Sequence, residues 1–122
     1  MIQTATGYQN LVVWQKADEL AQVVYEATKN MPKEEMFGLT SQLRRAALSV
    51  PLNIIEGYAR RSHKTFANFL AISYGSLMET KYLVEFAGKL RYISEHEKNQ
   101  LMEKINEVGG LIWQFRQRAL RS

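Results

Sequence analysis

The chain has no cysteine, only two histidines, only two prolines, and no run of 18 or more apolar residues. Without thiols, disulfides and thiolate metal sites are excluded. His63 and His96 lie on different turns with no cysteine to assist them, so no metal and no cofactor is expected. No stretch is apolar enough to cross a membrane, and the opening residues, MIQTATGYQN, have neither a basic nor an apolar leader region. A soluble, unexported, cytoplasmic protein without a membrane partner is expected. Enzyme signatures are also missing. There is no glycine-rich phosphate loop and no HExxH, neither Ser49 nor Ser76 has a histidine at motif spacing, and the Glu-x-x-His pairs of bundle carboxylate sites are absent. A non-enzymatic protein is expected.

What is present is helical periodicity. At 122 residues the chain suits one domain, read as an N-terminal extension over 1–10 and a single bundle over 11–122. Val13, Ala17, Leu20, Val24, Ala27 and Met31 recur at alternating steps of four and three, a seam that ends at Pro32. A second helix is predicted to open around Pro32 to Glu35 and run to about Arg61. Glu34 and Glu35 favour its positive end. Ser62 is a good N-cap for a third helix, with a seam of Phe66, Leu70, Ser73, Leu77, Thr80, Val84 and Ala87. Gly75 inside it is read as a close helix crossing. Ser94 and Glu97 form a capping-box pattern before a fourth helix lined by Leu101, Ile105, Val108, Ile112, Phe115 and Ala119. Four such helices with short connections predict an all-α, up-down-up-down bundle.

The second helix carries the most information. On a helical projection Gln42, Arg45, Ser49, Asn53, Glu56 and Arg60 fall within about 80° of one another. Leu39, Leu43, Ala46, Val50 and Ile54 line one flank of this stripe, and Leu48, Leu52, Ile55 and Ala59 the other. A helix apolar on two sides packs against its own core and against something else, here expected to be a second copy through Leu48, Leu52 and Ile55. Both faces stay in phase across Pro51, although proline removes an amide donor and costs roughly 3 kcal/mol inside a helix. One kinked helix is therefore expected rather than two.

Two groups of polar residues are candidate sites. The stripe, Gln42, Arg45, Ser49, Asn53 and Glu56 with Glu79, is either a binding surface or a hydrogen-bonded seam that sets register, and the seam is preferred. Glu56 and Glu79 are expected to pair with cations near Arg45 rather than with each other. The second group is basic. The net charge is +4 and unevenly placed, since Arg60, Arg61, His63 and Lys64 cluster without acids and Arg116, Arg118 and Arg121 close the chain. Arg44, Arg60, Arg61 and Lys64, with the three C-terminal arginines, are candidate phosphate contacts for RNA or single-stranded DNA, and Tyr58 and Phe66 are candidate stacking groups. The alternatives are a solvated turn and a complement to a helix C-terminus. Trp14, Trp113, Tyr25 and Phe115 are read as core or interface.

With these segments in place, LVVWQKADELAQVVYEAT, MPKEEMFGLTSQLRRAALSVPLNIIEGYAR and FANFLAISYGSLMET together resemble the bacterial 23S rRNA intervening-sequence proteins. The resemblance implies a left-handed up-and-down four-helix bundle assembling into a ring-like homopentamer. Its characteristic polar positions fall on Gln42, Arg44, Arg45, Ser49, Asn53, Glu56 and Gly57, and on Gly75, Ser76 and Glu79. A related branch, the accessory variability proteins of diversity-generating retroelements, is a similar basic pentamer that binds nucleic acid and a reverse transcriptase. The resemblance implies no catalytic centre. Two functions follow as expectations: an oligomer that binds nucleic acid, RNA by preference, or a scaffold for a partner such as a reverse transcriptase.

Overall fold

The computed structural model describes residues 7–122, and every long element among them is a helix. Helix α1 spans Val12–Ala27 and buries Val13, Ala17, Leu20 and Val24 of the predicted seam together with Ala21, while Ala27 is only half-buried. Thr28 ends it, its Oγ1 donating to the Val24 carbonyl at 2.8 Å. Residues 1–6 of the expected N-terminal extension lie outside the described residues; in the remainder the Tyr8 ring stands edge-on to Trp14 with centroids 4.9 Å apart.

The start of the second helix differs from expectation. Pro32 to Glu35 do not open it: Lys33–Glu35 form a short 3-10 turn, and α2 begins only at Leu39 and runs to Ala59. The reason is Gly38, whose backbone (φ −114°, ψ −110°) lies outside the helical region and breaks the run. Glu35 still serves the positive end of α2, because its Oε1 accepts the Leu39 N–H at 3.1 Å. The helix is continuous through the buried Pro51. Leu39, Leu43, Ala46, Val50 and Ile54 are buried, whereas Leu48 and Leu52 are 40% and 54% exposed and Ile55 is half-buried. The two apolar flanks thus differ: one is core, and the other is exposed or half-buried among the described residues.

Helix α3 spans His63–Lys89 behind Ser62, whose hydroxyl accepts the Thr65 N–H. Helix α4 spans Glu95–Leu120 behind a complete capping box: Ser94 Oγ accepts from Glu97 N–H at 3.0 Å, and the Glu97 carboxylate accepts from Ser94 N–H at 2.9 Å. Each helix packs on its neighbours in sequence, and α4 returns to α1. Along α2 and α3 the contacts pair Ser49 with Ser76 and Val50 with Ser73. Along α1 and α4 they pair Lys16 with Glu107 and Glu19 with Lys104. Numbering rises on one helix as it falls on its neighbour. The inward seams of all four helices form one continuous core.

Gly75 is not the crossing point it was read as. A Cβ built there meets nothing within 4 Å, whereas one at Gly57 would lie 2.5 Å from Phe69 Cβ and 3.3 Å from Phe66 Cδ1. The close approach of α2 to α3 is therefore made by Gly57, which falls in phase with Leu39, Val50 and Ile54. Since helical glycine costs about 0.8–1 kcal/mol relative to alanine, Gly75→Ala is expected to stabilise the chain by about that amount, read as a raised midpoint in denaturant. Among the aromatic residues, Trp14 and Phe115 pack on the core, while Tyr25 and Trp113 are exposed.

Candidate nucleic-acid interface

The turn from α2 to α3 is built by Arg61, which adopts a left-handed conformation (φ 57°) and donates its N–H to the Tyr58 carbonyl. Arg91 takes the same conformation (φ 62°) after α3, so this geometry is a device for ending helices rather than a mark of function. The turn gathers Arg60, Arg61, His63 and Lys64 at one end of the bundle, and α4 brings Arg116, Arg118 and Arg121 to the same end. Arg116 Nε reaches the Ala67 carbonyl at 3.1 Å, and Arg61 and Arg118 line one cleft of about 410 Å³. Leu11, Tyr58, Phe66 and Phe115 supply the apolar part of that cleft, with Ser62 and His63 beside Arg61. The rings of Tyr58 and Phe66 meet edge-on at 5.8 Å.

The candidate cations separate into two kinds. Arg60 is bound to Glu56 (Nη2 to Oε2 2.7 Å) and lies over the Phe69 ring, and Arg116 is held by the Ala67 carbonyl. Arg44 is remote from this end, being sixteen residues before Arg60 on α2 and so about 24 Å away at 1.5 Å per residue. It fastens α2 to α1, donating to Thr28 Oγ1 at 2.8 Å and to the Tyr25 carbonyl at 3.3 Å while lying over the Tyr25 ring. Arg61, Lys64 and Arg121 make no side-chain hydrogen bond or ion pair among the described residues, and Arg118 has only the Phe115 face, at 5.2 Å. No acid occurs from His63 to Met78 or after Glu107, and Glu56 is already neutralised by Arg60. Among the described residues this end of the molecule therefore carries more cations than side-chain acids.

The opposite end is mixed. Glu34, Glu35, Glu95 and Glu97 stand there with Lys33, Lys89, Arg91 and Lys98, and Tyr92 Oη donates to Glu35 Oε2 at 3.2 Å, joining the two connections. Desolvation, aided by that bond and by the charges of Glu35 and Glu34, holds the Tyr92 phenol above its ordinary range. The charge asymmetry of the sequence is thus an asymmetry along the bundle.

Part of the polar stripe is a seam between α2 and α3. Ser49 and Ser76 hydroxyls share a 2.8 Å hydrogen bond, and Asn53 Nδ2 donates to Ser49 Oγ and to the Ser49 carbonyl. Buried Ser73 donates to the Val50 carbonyl at 2.9 Å, and Thr80 to the Ser76 carbonyl at 2.8 Å. The other members do not join it. Glu56 pairs with Arg60 and not near Arg45, while Gln42, Arg45 and Glu79 line an open groove beside Phe37, which is 94% exposed. Arg45 and Glu79 make no ion pair or hydrogen bond among the described residues. Glu56 lies at the level of Phe69 and Glu79 near Ser49, so the two carboxylates do not meet. The sequence places Ser73 on the inward seam without pairing it with α2, although its phase with Val50 across the two helices is the available signal; the Thr80 bond stays within α3. Among the described residues no three His, Asp or Glu side chains converge as a metal site, and no helix is long and apolar enough to cross a membrane.

A family model described as 23S rRNA-intervening sequence protein matches residues 9–114. No curated protein matches the chain. A crystal structure of a protein of unknown function from the S23 ribosomal protein family of Bacteroides thetaiotaomicron is similar to it, with 25% identity, a TM-score of 0.80, and coverage of 87% of this chain and 96% of that one. The family match reaches into all four helices and covers the turn that carries Arg61 and Lys64, in agreement with the motifs read from the sequence, but it ends at residue 114, before Arg116, Arg118 and Arg121. The chain belongs to the 23S rRNA-intervening sequence protein family.

Proposed function

We propose that this chain is a non-enzymatic nucleic-acid-binding protein of the cytoplasm, that its ligand is RNA, and that it grips phosphates through Arg61, Lys64, Arg118 and Arg121. One observation carries the reading: four cations that make no ion pair among the described residues share one end of the bundle with a cleft lined by aromatic rings. Phosphate contacts supply most of the sequence-independent affinity of such proteins and release counterions, so binding weakens steeply with salt. Fluorescence polarisation of a labelled single-stranded RNA is expected to show a log affinity falling linearly with log salt, with a slope of roughly −0.7 per phosphate contact. Absence of binding at low salt would remove this reading.

The same reading takes the chain as a ring-like homopentamer of left-handed, up-down-up-down bundles with α2 bent at Pro51. What supports assembly is the outer face of α2, where Leu48 and Leu52 are exposed directly opposite the buried flank, with Ile72 of α3 also 51% exposed. A soluble monomer gains nothing from such a face. Leu52→Asp is expected to lower the mass seen by light scattering to that of the single chain while leaving the helical circular dichroism unchanged. Retention of the larger species would place the interface elsewhere. A protein scaffold is the competing function, and these exposed residues would serve it equally well. Capture of a protein partner by chain that fails to bind RNA would favour it.

A further inference from the structure

The cleft at the basic end has two kinds of wall, and a phosphate backbone uses only one of them. Exposed Arg61 and Arg118 stand at its rim and half-buried Leu11, Phe66 and Phe115 line it further in, the whole cleft measuring about 410 Å³. This lies within the roughly 300–1,000 Å³ of sites that enclose small ligands. We infer that the cleft receives one unpaired nucleotide of a single strand, its base against Phe66 and Phe115 and its flanking phosphates on Arg61 and Arg118. This deepens the RNA-binding reading and rests on it.

Three observations carry the inference. Phe66 and Phe115 come from different helices, α3 and α4, and both line the cleft while packing on the core, so their rings are held in place before a base arrives. The Arg118 guanidinium already lies over the Phe115 ring, 5.2 Å from its centroid, which places a planar cation beside the stacking surface. Arg61 and Arg118 at the rim make no ion pair among the described residues, so a strand entering here displaces none of the ion pairs seen there. An acidic peptide would satisfy the rim and leave the aromatic interior empty. A duplex would do the same, because its bases are stacked and paired inside. A nucleotide with its base exposed uses both walls, as single-strand platforms do.

The test compares a labelled single-stranded RNA with the same sequence in a duplex, using the full chain at fixed low salt. Single strand is expected to bind more tightly, and Phe115→Leu or Phe66→Leu to weaken it by roughly 5- to 150-fold while leaving duplex affinity unchanged. A 2-aminopurine placed in the strand is expected to be quenched by the unaltered protein as its base stacks. Equal affinity for both forms, insensitive to the leucine variants, would overturn the cleft assignment and leave RNA binding standing. Failure to bind either form would overturn both. Should the leucine variants unfold, the 2-aminopurine signal of the unaltered chain decides, since polarisation rising without quenching also overturns it.

Discussion

Replacing Gly57 by alanine is expected to destabilise the chain by about 1–3 kcal/mol, the range of an overpacked core, despite the gain in helix propensity that alanine brings. The added methyl would lie 2.5 Å from Phe69 Cβ and 3.2 Å from its Cγ. A Cβ is fixed to its backbone and cannot rotate away, so α2 and α3 must separate or slide. Separation loosens the hydroxyl seam as well, because Ser49 with Ser76 and Ser73 with the Val50 carbonyl need the same approach. The thermal midpoint is expected to fall by roughly 5–10 °C, followed by circular dichroism. Gly75→Ala, on the open side of α3, moves it the other way. A midpoint raised by both substitutions would mean that the crossing at Gly57 is not the tight contact described.

The second large effect is on binding. Arg61→Glu combined with Arg118→Glu is expected to lower RNA affinity on the order of 100-fold at low salt and to shorten the salt slope by the contribution of two phosphate contacts. Neither side chain makes an ion pair among the described residues, so the reversal breaks none of those seen and the fold is expected to survive. Arg44→Gln is the necessary comparison. It also removes positive charge, but Arg44 sits some 24 Å away at 1.5 Å per residue and is committed to Thr28 and Tyr25. It is expected to loosen α1 against α2 and leave RNA affinity nearly unchanged. Equal losses from the two ends would show that total charge, and not the basic end, governs binding.

The elements were legible wherever a local rule sufficed. The seams of α1, α3 and α4 follow from steps of three and four, and the caps at Ser62 and Ser94 need only a hydroxyl and an amide three residues on. The start of α2 was not legible, because nothing local announces that Gly38 leaves the helical region while Glu35 reaches past it to Leu39. Gly57 and Gly75 look alike as helix-interior glycines, and the phase of Gly57 with Val50 and Ile54 was the clue that separated them. The candidate site divided for a related reason. Arg44, Arg60, Arg61 and Arg116 read equally as surface cations, but three of them are taken by Thr28, Glu56 and the Ala67 carbonyl. Two of those partners, Thr28 and Ala67, lie far away in sequence. Only the folded chain shows which arginine is left over.

The uneven charge of the bundle has a consequence for symmetry. Copies arranged in a closed ring differ only by rotation about its axis, and rotation cannot reverse a vector lying along that axis. Whatever part of the bundle's charge polarity is axial would therefore be shared by every copy, giving the ring one cationic side and one mixed side. Within a Debye length, about 8 Å at physiological salt, neighbouring basic ends would act on a polyanion together. Such a ring would be a two-sided object: a nucleic acid would find a landing surface on one side of it only, leaving the other available for a different contact.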